Sequence, residues 1–410
     1  MSTPLLIISD SPSCTSGLGR ITRELANRLH EHCSDVFRVG VLGYGGAGSR
    51  HLAYPQYQVS NLEDWVLSEL PIVWEDFAGE GPGCYYGAGE PKKGIIFTIW
   101  DASRLEWLVD PKACPDPKLA RWLATADRFK RWMYLPLDAT GVGGRLPHGF
   151  ERTIAAFDRV VCYSKWAEGV VRNTLPPFVC DRLGLTSLPH GIDTSQFQPK
   201  DKAEARRRLT AAGFKLDENS FLVGVVATNQ ARKDFGLAFA TCAELMKQGL
   251  NVRMWIHTDR LKHYWDLAAL AQDFGLQGKG IITTENLTDE QMSQMYSACD
   301  VTLGIGLGEG FGFPIFESLA CGTPCIHGKY GGAAEWLEPE LAIPVTAYRV
   351  EGAFNCQRPV FSAAMWKECV NRMREHPEWD WYLHEELDWT TLWPRWESWF
   401  REGVNREGVK

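Results

Sequence analysis

The sequence predicts an α/β protein of two Rossmann-like domains facing a central cleft. Three observations predict it. A chain of 410 residues is too long for one ordinary core and suits two domains of similar size. Both halves alternate short apolar runs with helical patterns, as parallel sheets covered by helices do. Between the halves, Pro189-His190-Gly191-Ile192-Asp193, with Phe197 and Pro199 close behind, interrupts the alternation and reads as a crossing.

The first half opens with the buried-strand pattern Leu5-Leu6-Ile7-Ile8. A loop rich in Ser, Pro and Gly follows, then helical spacing over Arg20 to His30. Strand, glycine loop and helix make the first unit of a doubly wound sheet. Val36 to Leu42, Gly94 to Trp100, Trp132 to Leu137 and Arg159 to Tyr163 read as further strands. This domain is assigned residues 1–190. In the second half, Phe221 to Ala227, Val252 to His257, Val301 to Ile305 and Pro324 to Ile326 read as strands. Phe235 to Gln248, Asp289 to Ser297 and Phe313 to Ala320 read as helices. The second domain is assigned residues 191–384. Trp389, Trp393, Trp396 and Phe400 then fall at helical spacing and predict a helix docked on a core.

Composition excludes several classes. Apolar residues make up 45% and charged residues 23%, the balance of a globular protein. No run of eighteen apolar residues predicts a spanning helix. The N-terminus carries no basic region ahead of its apolar run, so no signal peptide is expected. The 12 Cys are scattered singly and read as reduced thiols of a cytoplasmic protein. Cys321 and Cys325 have no second pair at zinc-ligand spacing and read as small buried residues. The net charge of −8 argues against a general nucleic-acid binder. Arg121, Arg128, Lys130 and Arg131, and Lys202, Arg206, Arg207 and Arg208, are local basic clusters that solvated helix faces also explain.

The segment with the most chemistry runs Gly308-Glu309-Gly310-Phe311-Gly312-Phe313-Pro314-Ile315-Phe316-Glu317, directly after a strand. Two carboxylates flank a Gly-Phe-Gly turn with seven residues between them. Such a turn presents backbone N–H groups at a helix N-terminus, where an anion or a sugar oxygen is well received. A carboxylate accepts paired hydrogen bonds from vicinal hydroxyls, which suits a sugar or a ribose. Glu309 is expected in the loop and Glu317 on the helix, both reaching one ligand.

This element resembles that of the retaining GT-B glycosyltransferases of family 4, the glycogen-synthase and sucrose-synthase relatives. His190-Gly191-Ile192-Asp193 is similar to the family's Asn-Gly-Ile-Asp, and Gly17-Leu18-Gly19-Arg20 to its N-terminal glycine loop. The resemblance is specific in the second half and loose in the first, and a phage-type member is one form it takes. It implies a nucleoside-diphosphate sugar as donor and no cofactor. Glu309 would hold a donor-sugar hydroxyl, and the backbone of Gly310, Phe311 and Gly312 would contact sugar and diphosphate. Glu317 would bind the ribose. Gly17 and Gly19 would lie on the donor. The last helix, 385–410, would pack back on the first domain.

Relatives neutralise the departing diphosphate with an Arg and a Lys after the first strand of the second domain. Here that stretch reads Thr228-Asn229-Gln230-Ala231-Arg232-Lys233-Asp234. Lys233 matches the family Lys, Thr228 or Asn229 stands where the Arg belongs, and Arg232 is its substitute. Asn229 and His257 are expected to border the donor, although a structural His at a strand end is an equal alternative. Where relatives place a His facing the sugar, this chain has Asp138. That carboxylate orders a sugar hydroxyl, takes the acceptor proton, or caps the following turn, and the sequence leaves these open. No Asp-x-Asp triplet occurs, so no metal site is expected. The acceptor hydroxyl is that of a glycan, a lipid, a small molecule or, as the rival, a hydroxymethylated DNA base. A UDP-sugar 2-epimerase and a non-catalytic nucleotide-sugar binder are the readings from other classes.

Overall fold

The computed structural model describes residues 2–46, 52–59, 65–79, 93–125 and 128–407. The chain divides into two compact units, Met1–His190 with Leu392–Lys410, and Gly191–Thr391.

The first unit holds a parallel sheet of seven strands: β1 (Thr3–Asp10), β2 (Phe37–Tyr44), β3 (Gln56–Gln58), β4 (Gly94–Thr98), β5 (Phe129–Leu135), β6 (Arg159–Cys162) and β7 (Thr186–Ser187), in the order β3-β2-β1-β4-β5-β6-β7. Leu5 to Ile8 are fully buried, as a strand covered on both faces requires. β5 begins at Phe129, earlier than the expected Trp132, because Phe129 is itself buried against Trp74 and Trp122. The helix after β1 starts at Gly17, three residues before the apolar periodicity, because Ser16 caps it.

The second unit holds six parallel strands: β8 (Ser220–Val226), β9 (Asn251–His257), β10 (Gly280–Thr283), β11 (Val301–Gly304), β12 (Cys325–Gly328) and β13 (Ala342–Ile343), ordered β10-β9-β8-β11-β12-β13. A separate antiparallel hairpin joins β14 (Ala347–Glu351) to β15 (Cys356–Val360). Asp300, just before β11, accepts hydrogen bonds from Arg206 at 2.6 Å, Lys202 at 2.8 Å and the Leu222 N–H at 2.7 Å. One carboxylate thus ties a helix to β8.

The C-terminal helix, Trp389–Glu407, carries the aromatic stripe. Trp396, Trp399 and Phe400 are buried, and the Trp396 indole donates to the Pro189 carbonyl at 2.8 Å. Trp399 lies 5.3 Å from Trp132, and the buried Arg159 guanidinium stacks 4.4 Å from Trp399. A Cβ at Gly403 would fall 2.6 Å from that guanidinium, so only glycine lets the helix approach this closely. Residues 385–391, expected with this helix on the first domain, belong instead to the second unit, where the Ile192 N–H binds the Leu387 carbonyl at 2.7 Å.

No helix among the described residues is long and apolar enough to cross a membrane. The basic clusters are matched by acid. Arg128 faces Glu75, Lys130 faces Asp158, and Arg207 and Arg208 both bind Glu204.

Candidate functional site

In the second sheet the strand order reverses between β8 and β11, which is where open α/β sheets receive ligands beyond the carboxyl ends of their strands. The loops after these two strands are laced together by backbone. Asp234 N–H donates to the Ile305 carbonyl at 2.9 Å, and Leu307 N–H to the Arg232 carbonyl at 2.8 Å. This lacing sets Arg232 and Lys233 beside the Gly308–Gly312 turn.

Glu309 is the centre of the arrangement. Lys233 Nζ donates to Oε1, while Arg232 donates to Oε2 at 3.2 Å and to the Gly308 carbonyl at 3.2 Å. The Glu309 and Lys233 side chains are only 12% and 10% exposed, so their charges act through little water. Burial alone would raise the Glu309 carboxyl. Lys233 and then Arg232 outweigh it and hold the group down at about 2. Glycines make the seat. A Cβ at Gly306 would collide with the Glu309 carboxylate, and one at Gly331 would fall 2.6 Å from the Glu309 carbonyl, which accepts from Gly332 N–H at 2.8 Å.

The helix Phe313–Ala320 begins at Gly312, whose φ of +91° suits glycine, and no side chain caps it. Phe311 is buried against Phe316 at 4.6 Å and pins the turn. Glu317 is buried on that helix, not solvated, and accepts from the Tyr296 hydroxyl at 2.8 Å.

The other expected residues separate. Asn229 is fully buried and its amide is committed. It donates to the carbonyls of Arg260 at 3.2 Å and Trp265 at 2.8 Å, and accepts from the Trp265 N–H at 2.9 Å. Its side chain therefore holds the 259–265 loop. His257, at the end of β9, pairs with Thr283 at 2.9 Å, and burial lowers its pKa. In the first unit, Gly17 opens the first helix. A Cβ at Gly19 would fall 2.7 Å from the Ser11 carbonyl. Asp138 lies half-buried beyond β5.

Sequence reasoning missed His327. It is fully buried on β12, its Nδ1 is 2.6 Å from the Gly304 carbonyl, and its Nε2 meets no partner among the described residues. Burial lowers its pKa, so the ring is neutral with Nδ1–H donating. It also missed Gly306 and Gly331, although the Gly331-Gly332 pair was a visible signal of a close backbone approach.

Residues 220–354 match the model of the family Glycosyl transferases group 1. That match lies within the second unit. A D-inositol 3-phosphate glycosyltransferase of Acidothermus cellulolyticus is 29% identical over 197 residues, 46% of this chain and 42% of that one. The chain spans about half the length of the curated relatives it matches. Sucrose-phosphate synthase from Thermosynechococcus elongatus superposes with a TM-score of 0.69 at 17% identity, covering 98% of this chain and 100% of that one. HepE of Anabaena, solved with UDP and glucose, gives a TM-score of 0.61 at 15% identity over 92% and 91%. The fold is GT-B, and the matched segment includes Arg232, Lys233, Glu309 and Glu317.

Proposed function

We propose that the chain is a retaining glycosyltransferase that moves a sugar from a nucleoside-diphosphate donor to an acceptor hydroxyl. The observation that carries this is Glu309 seated between Lys233 and Arg232 at a glycine-led helix N-terminus. Breaking the bond between sugar and diphosphate puts negative charge on the β-phosphate, and Lys233 and Arg232 stabilise it where it forms. On this reading Glu309 orders a sugar hydroxyl and Glu317 the ribose. The diphosphate takes over the cations that Glu309 engages. The departing phosphate assists attack from the same face, so no enzymic nucleophile is required. Asp138 orders the sugar or receives the acceptor proton. The eleven cysteines among the described residues are free thiols, which supports a cytoplasmic setting.

A thermal-shift screen of nucleotide sugars tests the reading. A donor at about a hundredfold its Kd adds roughly 2.7 kcal/mol of stability, so one base and one sugar should stand out. A flat screen together with no donor hydrolysis would overturn it.

A further inference from the structure

The hairpin of β14 and β15 is an element of the second unit that the donor chemistry leaves unused, and β15 lies beyond the segment that the family matches. A two-stranded hairpin is marginal by itself, so its contacts fix its place. All of β14 but Glu351 is exposed, whereas Arg358 and Pro359 of β15 are buried. β15 meets the backbone of the site twice. Arg358 Nη1 donates to the Leu307 carbonyl at 3.4 Å, and the Gln357 carbonyl accepts from the Tyr330 hydroxyl. Leu307 stands just before Gly308. Tyr330 stands just before Gly331, which bridges to Glu309.

Arg358 is an unfavourable residue for the hairpin itself. Arg349 stands directly opposite it in the register, and like charges across a strand pair destabilise the pair. Glu351 serves both guanidinium groups, Arg349 at 2.9 Å and Arg358 at 3.8 Å. The Arg358 side chain is 10% exposed, so its charge is largely withdrawn from water, at a cost. Outside the hairpin it bonds the Leu307 carbonyl. That residue is held on its other side too, since Leu307 N–H donates to the Arg232 carbonyl at 2.8 Å. Arg232 in turn donates to the Gly308 carbonyl and to Glu309 Oε2, both at 3.2 Å. A run of hydrogen bonds thus leads from Arg358 through Leu307 to Arg232 and Glu309.

We propose that Arg358 is a positioning residue for the transfer reaction. By holding the Leu307 carbonyl it keeps the Gly308–Gly312 turn in register with the Arg232–Lys233 loop, so that Glu309 and the two cations act together. A displacement of about 1 Å at reacting groups costs up to roughly a hundredfold in rate, even when its cause is remote. Glu317, on the following helix, holds the nucleotide, so the effect falls on turnover and not on nucleotide binding. The inference rests on the glycosyltransferase reading and adds to it a residue that acts through another.

The test uses the full chain with the nucleotide sugar that the thermal screen selects, and follows release of nucleoside diphosphate. Arg358→Met and Arg358→Leu replace the buried guanidinium by apolar chains, a change that is often neutral for folding. Each should keep the wild-type melting temperature and lower kcat about ten- to a hundredfold, with donor KM within about threefold. Arg358→Lys keeps a charged donor and should recover most of the loss. Arg349→Gln removes the opposite charge of the same hairpin and should leave kcat within about twofold. Hydrogen exchange without any ligand gives a second readout. Amides of residues 305–312 should exchange faster in Arg358→Met than in the wild type. Unchanged kcat and exchange in the folded apolar variants overturn the inference. So does a loss in Arg349→Gln equal to that in Arg358→Met, or no recovery in Arg358→Lys. If the wild type neither binds nor hydrolyses any nucleotide sugar, the glycosyltransferase reading falls first and takes this inference with it.

Discussion

Each unit contains a glycine turn that leads from a central parallel strand into a helix, and the two turns are finished differently. After β1, Ser16 accepts the Gly19 N–H at 3.1 Å and gives its own proton to Asp10. One donor of that turn is used internally, and Gly19 is there because a Cβ would strike the Ser11 carbonyl. After β11, the corresponding cap is Gly312, which has no side chain to offer, and charge gathers around Glu309 instead. A glycine-rich strand-to-helix turn is therefore not a ligand site in itself. The capping residue and the charges beside it decide whether backbone donors are used internally or presented outward.

The largest expected effect sharpens that contrast. Lys233→Ala removes a cation from the developing phosphate charge and should lower kcat/KM by about 2.7–4 kcal/mol, or roughly 10²–10³-fold. Steady-state kinetics on variant shown to be folded measures it. An unchanged constant would mean that Lys233 does not act on the leaving group.

The next effect is on stability. Glu309 has a folded pKa of about 2, below the ordinary 4.5. A depressed carboxylate adds stability that is fully present above its unfolded pKa and is lost as pH falls toward its folded one. Glu309→Gln should therefore cost up to about 3 kcal/mol near neutrality, and the gap from wild type should close between pH 4.5 and pH 2. Denaturant titrations at several pH values report the gap. One that stays constant with pH would show that the pairing with Lys233 and Arg232 contributes nothing to folding.

Smaller still is the cap of the first turn. Ser16→Ala removes the acceptor for Gly19 N–H and should cost about 1 kcal/mol of stability. Donor affinity should stay within about twofold, read from nucleotide titrations. A large loss of donor affinity would make the first turn a ligand site after all.

What the sequence made legible follows from the range of the interactions. The helix Phe313–Ala320 was readable to the residue, because Gly312, Pro314 and an apolar face mark it locally. Arg232 and Lys233 were readable as cations near Glu309 only through the family resemblance. The bonds from Asp234 to Ile305 and from Leu307 to Arg232 join residues some seventy positions apart, and no local pattern encodes them. The bonds of the Asn229 amide were hidden for the same reason. An amide in a loop looks available for a ligand until the partners at Arg260 and Trp265 are known. His327 was invisible because its burial depends on Gly304 of the neighbouring strand giving it room.

The smallest expected effect is that of a chelator. Activity should survive EDTA within about twofold. The diphosphate brings negative charge, and Lys233 and Arg232 stand ready to offset it from one side of the turn. A divalent ion placed there would lie close to two fixed cations, and like charges at short range in a partly buried site oppose each other strongly. Glu309 is already engaged by both cations and would have to give them up to become a ligand. A metal-dependent site would need the reverse arrangement, with free carboxylates and no lysine beneath the phosphate. Modest stimulation by Mg²⁺ fits the proposal, since the ion can relieve inhibition by released nucleoside diphosphate. Complete loss of turnover on chelation, restored by Mn²⁺, would show that the cations beside Glu309 do not carry the leaving-group charge.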